Sequence, residues 1–210
     1  LIDTHSHLFL EEFSEDFPQV IERARAAGVT HIFMPNIDST TIEAMLSACS
    51  VYKGYCFPMI GLHPTSVNAN YEKELEIVAR ELKFSKEYVA IGEIGMDLYW
   101  DKTYLKEQQI VLDKQVNWAL EYDLPIVIHC RDAFDYIYKV LEPYKKTPLR
   151  GIFHSFTGTA EEATRVLEFS DFFIGINGVV TFKKSHLPEI LAGIPLEKIV
   201  LETDSPYLTP

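Results

Sequence analysis

Short apolar runs alternate along this chain with longer stretches in which apolar residues recur every three or four positions. The runs are LIDTH (1–5), THIFMP (30–35), YCFPMIGLH (55–63), YVAIGEIG (88–95), LPIVIHC (124–130), RGIFHS (150–155), DFFIGING (171–178) and KIVLETD (198–204). They are rich in Val, Ile and Phe without strict alternation, the pattern of parallel strands covered on both faces. Between them lie FPQVIERARAAG, STTIEAMLSACSVY, YEKELEIVARELKF, TYLKEQQIVLDKQVNWALEYD, AFDYIYKVLEPY, TAEEATRVLEF and LPEILAGI, which carry the helical period. Gly28 is expected at a helix C-terminus, and Ser39 and Thr159 at N-caps.

Eight strands and seven helices in strict alternation predict an α/β fold with a parallel sheet, and eight is the number that closes a (β/α)8 TIM barrel. An open doubly wound sheet is the alternative, weakened because no G-x-G-x-x-G follows the first strand. The 210 residues, 47% of them hydrophobic, suffice for one domain spanning 1–210 with an ample core. That is short of the roughly 250 residues typical of the barrel. The chain stops at TDSPYLTP just after the eighth strand, so a closing C-terminal helix is expected to be missing. No apolar run reaches membrane-spanning length and no signal pattern is visible, making the cytoplasm the default location. Cys49, Cys56 and Cys130 form no C-x-x-C pair, which predicts reduced, packed thiols. A net charge of −12 argues against a broad basic DNA-binding face. Any nucleic acid would have to be gripped locally, at ends or single strands.

In a barrel the chemistry sits at the C-terminal ends of the strands. Ionisable residues recur there: His5 and His7 on strand one, His63 on three, Glu93 on four, His129 on five, His154 on six, and Glu202 and Asp204 on eight. Each has an ordinary structural reading. Read singly, Glu93 pairs with an arginine such as Arg131, the three later histidines are core residues, and ETD caps a turn. Together they call for one explanation, and a divalent cation site is the simplest, because unpaired buried carboxylates are costly. Nitrogen and oxygen ligands without thiolate suit Zn²⁺, Mn²⁺, Fe²⁺ or Mg²⁺. Four of these imidazoles and at least two of the carboxylates make six candidate ligands, more than one tetrahedral ion takes, which predicts two divalent metal cations with Glu93 bridging.

The ordered motifs H-x-H, G-x-H-P, G-E-I-G-x-D, I-x-H-x-R, F-H-S-F-T-G, V-T-F-K and L-E-T-D-S-P-Y-L-x-P span the chain and resemble the TatD family of metal-dependent DNases, within the amidohydrolase-like barrel superfamily. The resemblance implies a (β/α)8 fold and hydrolysis of DNA phosphodiesters, often from a 3′ end. It also implies metal ligation by His5, His7, Glu93, His129, His154 and Asp204. Cys130 departs from the family pattern, in which Ser or another small residue follows the histidine.

On this basis the expected catalytic residues are Asp204, Glu93, His63 and Arg131. Asp204 would take a proton from a metal-activated water, while His63 and Arg131 would hold a phosphate or the leaving oxygen. Glu202 would orient ligands from behind. Lys183 and Lys184 are either phosphate-steering or solvated loop lysines. Tyr99 and Trp100 would either stack a base or plug the seam between helix and sheet. The expected partner is DNA, as single strands or 3′ ends. Two rival functions remain at this level: a metallohydrolase of a small lactone, cyclic amide or phosphoester, and a non-catalytic metal-stabilised scaffold.

Overall fold

The protein is described by a computed structural model covering residues 1–210. Eight strands alternate with seven helices. The strands are β1 (Ile2–Asp3), β2 (His31–Pro35), β3 (Cys56–Met59), β4 (Ile91–Asp97), β5 (Ile126–Arg131), β6 (Gly151–Phe153), β7 (Phe172–Ile176) and β8 (Ile199–Leu201). The helices are α1 (Phe17–Ala26), α2 (Ile42–Val51), α3 (Tyr71–Phe84), α4 (Leu105–Glu121), α5 (Phe134–Leu141), α6 (Ala160–Val166) and α7 (Leu187–Leu191). Every strand pairs parallel with its sequence neighbour, in the orders β1-β2-β3 and β4-β5-β6-β7-β8. Isolated bonds stitch the two sheets together. Ile60 bridges Ile91 at one seam, and at the other the Thr4 amide donates to the Leu201 carbonyl at 3.0 Å. The eight strands thus follow one another around a barrel whose two seams lack continuous ladders. No helix is long and apolar enough to cross a membrane.

Local chemistry explains where the elements stop. Thr159 caps α6 through a reciprocal capping box with Glu162, as expected. Gly28 follows α1 with φ of +85°, a left-handed turn that suits glycine. Ser39 is not the cap of α2: that position falls to Thr41, and Ser39 instead gives its amide and hydroxyl to Glu74, both at 2.9 Å. A carboxylate on α3 outcompeted the helix end. All three cysteines are free.

The open seam between β3 and β4 is completed by side chains. Two glutamines seven apart on the buried face of α4 take over the backbone bonds a neighbouring strand would have made. Gln115 accepts from the Leu62 amide at 2.7 Å and donates to the Leu62 carbonyl at 3.3 Å. Gln108 does the same for Asp97, at 2.9 and 3.2 Å. Both glutamines are buried, so each amide prevents the desolvated strand groups from going unpaired.

The approach of β4 to β5 depends on Gly95. Its φ is +139°, and a Cβ there would lie 2.0 Å from the His129 carbonyl oxygen. Gly95→Ala is therefore expected to destabilise the fold by about 3 kcal/mol or more. Gly54→Ala has a similar sign of φ (+81°) but open space around it, and should cost only about 1 to 2 kcal/mol. Urea unfolding of both variants measures the difference.

Candidate metal centre

The strand-end residues converge as the sequence predicts. His5 and His7 leave β1 on the same side, His63 follows β3, His129 lies in β5, His154 follows β6, and Glu202 and Asp204 follow β8. Glu93 differs in placement: it is the third of seven residues in β4, at a register shift against β5 between Ile91 and Ile94. The irregularity sets its carboxylate in the middle of the ring of histidines.

The geometry around Glu93 divides in two. Its Oε2 lies 3.1 Å from His5 Nε2 and 3.6 Å from His7 Nε2. Its Oε1 lies 3.0 Å from His129 Nδ1, 3.4 Å from His63 Nε2 and 3.9 Å from His154 Nε2. Asp204 Oδ1 approaches His5, His7 and His154 at 3.7, 3.6 and 3.6 Å. The alternative pairing of Glu93 with Arg131 is not made; the Arg131 guanidinium lies over the Tyr99 ring, 3.8 Å from its centroid.

Backbone bonds hold these groups in place. Asp3 accepts from the amides of His5 and Thr203 at 3.2 and 3.0 Å and from the Thr203 hydroxyl at 2.7 Å, tying the ends of β1 and β8 together. The Asp204 amide then donates to the His5 carbonyl at 2.9 Å, and the His7 amide to the Ser205 carbonyl at 2.8 Å. Opposite them, the Glu93 amide donates to the Asn36 carbonyl at 3.1 Å.

Two carboxylates behind the histidines set their orientation. His129 Nε2 lies 2.9 Å from Asp97 Oδ2, and His154 Nδ1 lies 3.0 Å from Glu202 Oε1 at ion-pairing distance. This places Glu202 behind His154, as the sequence suggests. Asp97, by contrast, appears in the G-E-I-G-x-D motif without any role read for it, although its even spacing of four from Glu93 puts both on one face of a regular strand. His63 is oriented from its own loop. Its Nδ1 accepts from the Thr65 amide at 3.2 Å, which leaves the proton on Nε2, 3.4 Å from Glu93 Oε1.

The electrostatics follow from burial and neighbours. Burial alone would raise the Glu93 carboxyl, but His5, His63 and His154 outweigh it and hold it well below the usual carboxylate range. Burial drives the His5 imidazole down to about 4, helped by His154. His154 itself would be lowered by burial, yet Glu202 and Glu93 lift it well above the imidazole range. His129 is raised in the same way by Asp97 and Glu93.

The donor set fits divalent cations. The Nε2 atoms of His5 and His7 face each other at 3.2 Å, and a single shared proton is the most that this contact accommodates. His5, His7 and Glu93 form one group able to hold an ion, and His63, Glu93 and His129 another, to which His63 would contribute Nε2 only by giving up its proton. Both groups open onto a cavity of about 690 Å³, whose wall contains Arg131 as its one lysine or arginine. Cys130 also lines this wall, its thiol pushed up to about 12 by burial, so it is a neutral filler. Tyr99 and Trp100 do not plug the seam between helix and sheet: they are 54% and 71% exposed. Lys183 and Lys184 are exposed in the loop after β7.

Comparison with known proteins agrees with this geometry. The family model described as TatD related DNase matches residues 2–210. The chain is 37% identical over 211 residues to the "Uncharacterized metal-dependent hydrolase YabD" of Bacillus subtilis (strain 168), covering 100% of this chain and 82% of the relative. It is 34% identical over 212 residues to the "3'-5' ssDNA/RNA exonuclease TatD" of Pantoea sp. (strain At-9b), covering 100% and 81%. Among solved structures it superposes on YjjV, a TatD homologue from Escherichia coli K12, with a TM-score of 0.91 and 31% identity over 99% of this chain and 80% of that one. The eight-stranded parallel barrel and the likeness along the whole chain lead to one assignment: this protein belongs to the TatD-related DNase family, metal-dependent hydrolases that act on ester bonds.

Proposed function

We propose that this protein hydrolyses phosphodiester bonds of DNA, working from the 3′ ends of single strands, with two divalent cations held by His5, His7, Glu93, His129, His154 and Asp204. The observation that carries the reading is the division of Glu93, one oxygen toward His5 and His7 and the other toward His129, His63 and His154. A carboxylate so divided would be able to serve two ions, one through each oxygen. When bound, such ions supply a water of lowered pKa and neutralise charge growing on the phosphoryl oxygens. Zn²⁺ and Mn²⁺ suit this mixture of nitrogen and oxygen donors, and Mg²⁺ does so where oxygens and water dominate.

The chain's own residues supply the rest. Burial would raise the Asp204 carboxyl, but His154 and His5 keep it below its ordinary value, so it is ionised and able to accept a proton from the attacking water. His63 lines the cavity, and its Nε2–H, 3.4 Å from Glu93 Oε1, would be available to donate to a phosphoryl or leaving oxygen. Arg131 stacks its face on Tyr99, which leaves its edge N–H groups for a phosphate. Asp97 and Glu202 act through His129 and His154 as positioning residues: each carboxylate fixes which ring nitrogen is left for an ion.

The decisive experiment is a nuclease assay on single-stranded DNA labelled at either end, in Mg²⁺ or Mn²⁺, beside a panel of lactones, cyclic amides and small phosphoesters. Expected is stepwise loss from the 3′ end that EDTA abolishes, and a fall in kcat for Asp204→Asn on the order of 10²- to 10⁴-fold. Turnover that survives both EDTA and Glu93→Ala, or confinement of activity to the lactone and amide panel, overturns the proposal.

The raised pKa of His154 gives a second test. Its proton is held at neutral pH by Glu202 and Glu93, so an ion that takes up Nε2 must compete with it. The sign is therefore toward tighter cation binding as pH rises and toward proton release on binding near pH 7. Calorimetric titration with Mn²⁺ or Zn²⁺ in buffers of different ionisation enthalpy counts those protons. Glu202→Gln removes the nearest negative charge and is expected to lessen the release.

A further inference from the structure

The turn after β4 carries two large aromatic residues that the chemistry above does not use. Tyr99 and Trp100 are 54% and 71% exposed, in a chain that buries most of its large apolar side chains. They are held in place. Asp97 Oδ1 accepts from the Tyr99 amide at 3.1 Å, while the two rings meet edge to face with centroids 4.9 Å apart. Arg131 covers both, 3.8 Å from the Tyr99 centroid and 5.2 Å from that of Trp100. Trp100 and Arg131 also line the same 690 Å³ cavity as Glu93, His63 and Asp204. The exposed indole is thus continuous with the candidate catalytic cavity.

We propose that Trp100, backed by Tyr99 and Arg131, is a stacking platform for an unpaired nucleobase of the strand whose end enters this cavity. The inference rests on the nucleic-acid reading of the site and deepens it by naming the group recognised and the strandedness it selects. Charge argues for bases as the handle. The chain carries −12, and Arg131 is the one lysine or arginine in the cavity wall, so phosphate contacts alone have little to work with. Stacking needs no counter-charge, tolerates every base and contributes much of the affinity of single-strand binders. The adjoining guanidinium adds a cation beside the ring and an edge for the neighbouring phosphate. In a duplex the faces of internal bases are already covered by their neighbours, so the platform selects frayed ends, overhangs and single strands.

The test uses the metal-loaded protein in Mg²⁺ with a Trp118→Phe background, which leaves Trp100 as the sole tryptophan. Thymidine oligonucleotides are compared with oligonucleotides of the same length carrying abasic sites over the last three positions. In a stopped flow, before turnover, base-bearing strands are expected to quench Trp100 fluorescence and abasic strands to leave it unchanged. In steady state, Trp100→Ala should raise KM about tenfold for base-bearing strands with little change in kcat. It should leave KM for abasic strands unaltered, and Trp100→Phe should restore most of the loss. Equal quenching by both strands, no quenching by either, or a Trp100→Ala effect of the same size on abasic strands would overturn the platform. The hydrolysis reading is tested separately in the same samples. Cleavage without base-dependent quenching removes the platform and leaves the nuclease, whereas base-dependent quenching without cleavage supports the platform and removes the nuclease.

Discussion

A carboxylate whose side chain is only 3% exposed stays ionised in the middle of a barrel only if positive charge or hydrogen-bond donors surround it. Glu93 is in that position, and much of the surrounding structure meets this requirement. Five imidazoles come within 4 Å of its two oxygens, drawn from the ends of β1, β3, β5 and β6. Two further carboxylates, Asp97 and Glu202, hold the outward nitrogens of two of those rings. Protons alone serve this cluster imperfectly: His5 is pushed down to about 4 while His154 is pushed well up, although the two rings stack with centroids 3.4 Å apart. Bound cations would resolve that conflict by replacing mutually repelling protons with charge that the lone pairs could share.

The same requirement accounts for what could be read in the sequence. His5 and His7 lie two apart at the end of a strand, and His129, His154 and Asp204 each close an apolar run, so a rule about strand ends finds them. Glu93 was found by its type, although its position within β4 depends on a register shift that apolar runs do not encode. Asp97 carries a signal of its own, an even spacing from Glu93 that puts both carboxylates on one strand face, but nothing in the run names His129 as its partner. Gln108 and Gln115 left a weak signal, two amides seven apart on the buried face of α4. Their meaning depends on a seam between β3 and β4 that exists only once the barrel is assembled. Ser39 shows the opposite failure: a local capping rule lost to Glu74, a residue 35 positions away.

An acidic protein in a family of DNases has to reconcile its charge with its substrate. Long-range attraction is absent, so capture depends on contacts that work at short distance. The cavity supplies three kinds in one wall: the ion-binding carboxylate and histidines, one guanidinium, and exposed aromatic surface. Under the proposed function each would act on a different part of a nucleotide: the scissile phosphate, a neighbouring phosphate and a base. Binding that requires all three together favours a flexible strand end, which can present them from one side, over a stiff duplex.

Asp97 joins these functions physically. Its Oδ2 faces His129 and its Oδ1 accepts the Tyr99 amide, while its own amide and carbonyl are held by Gln108. Burial would raise its carboxyl, but the bonds from His129 and the Tyr99 and Trp100 amides hold it below the ordinary value, so it remains an acceptor on both sides. A displacement of the aromatic turn therefore pulls on the carboxylate that sets the orientation of His129, and a change at His129 is felt at the turn. The geometry of the candidate ion-binding ring and that of the surface beside it are held by one buried side chain, so under the proposed function the end of β4 is where substrate capture and chemistry would be coupled.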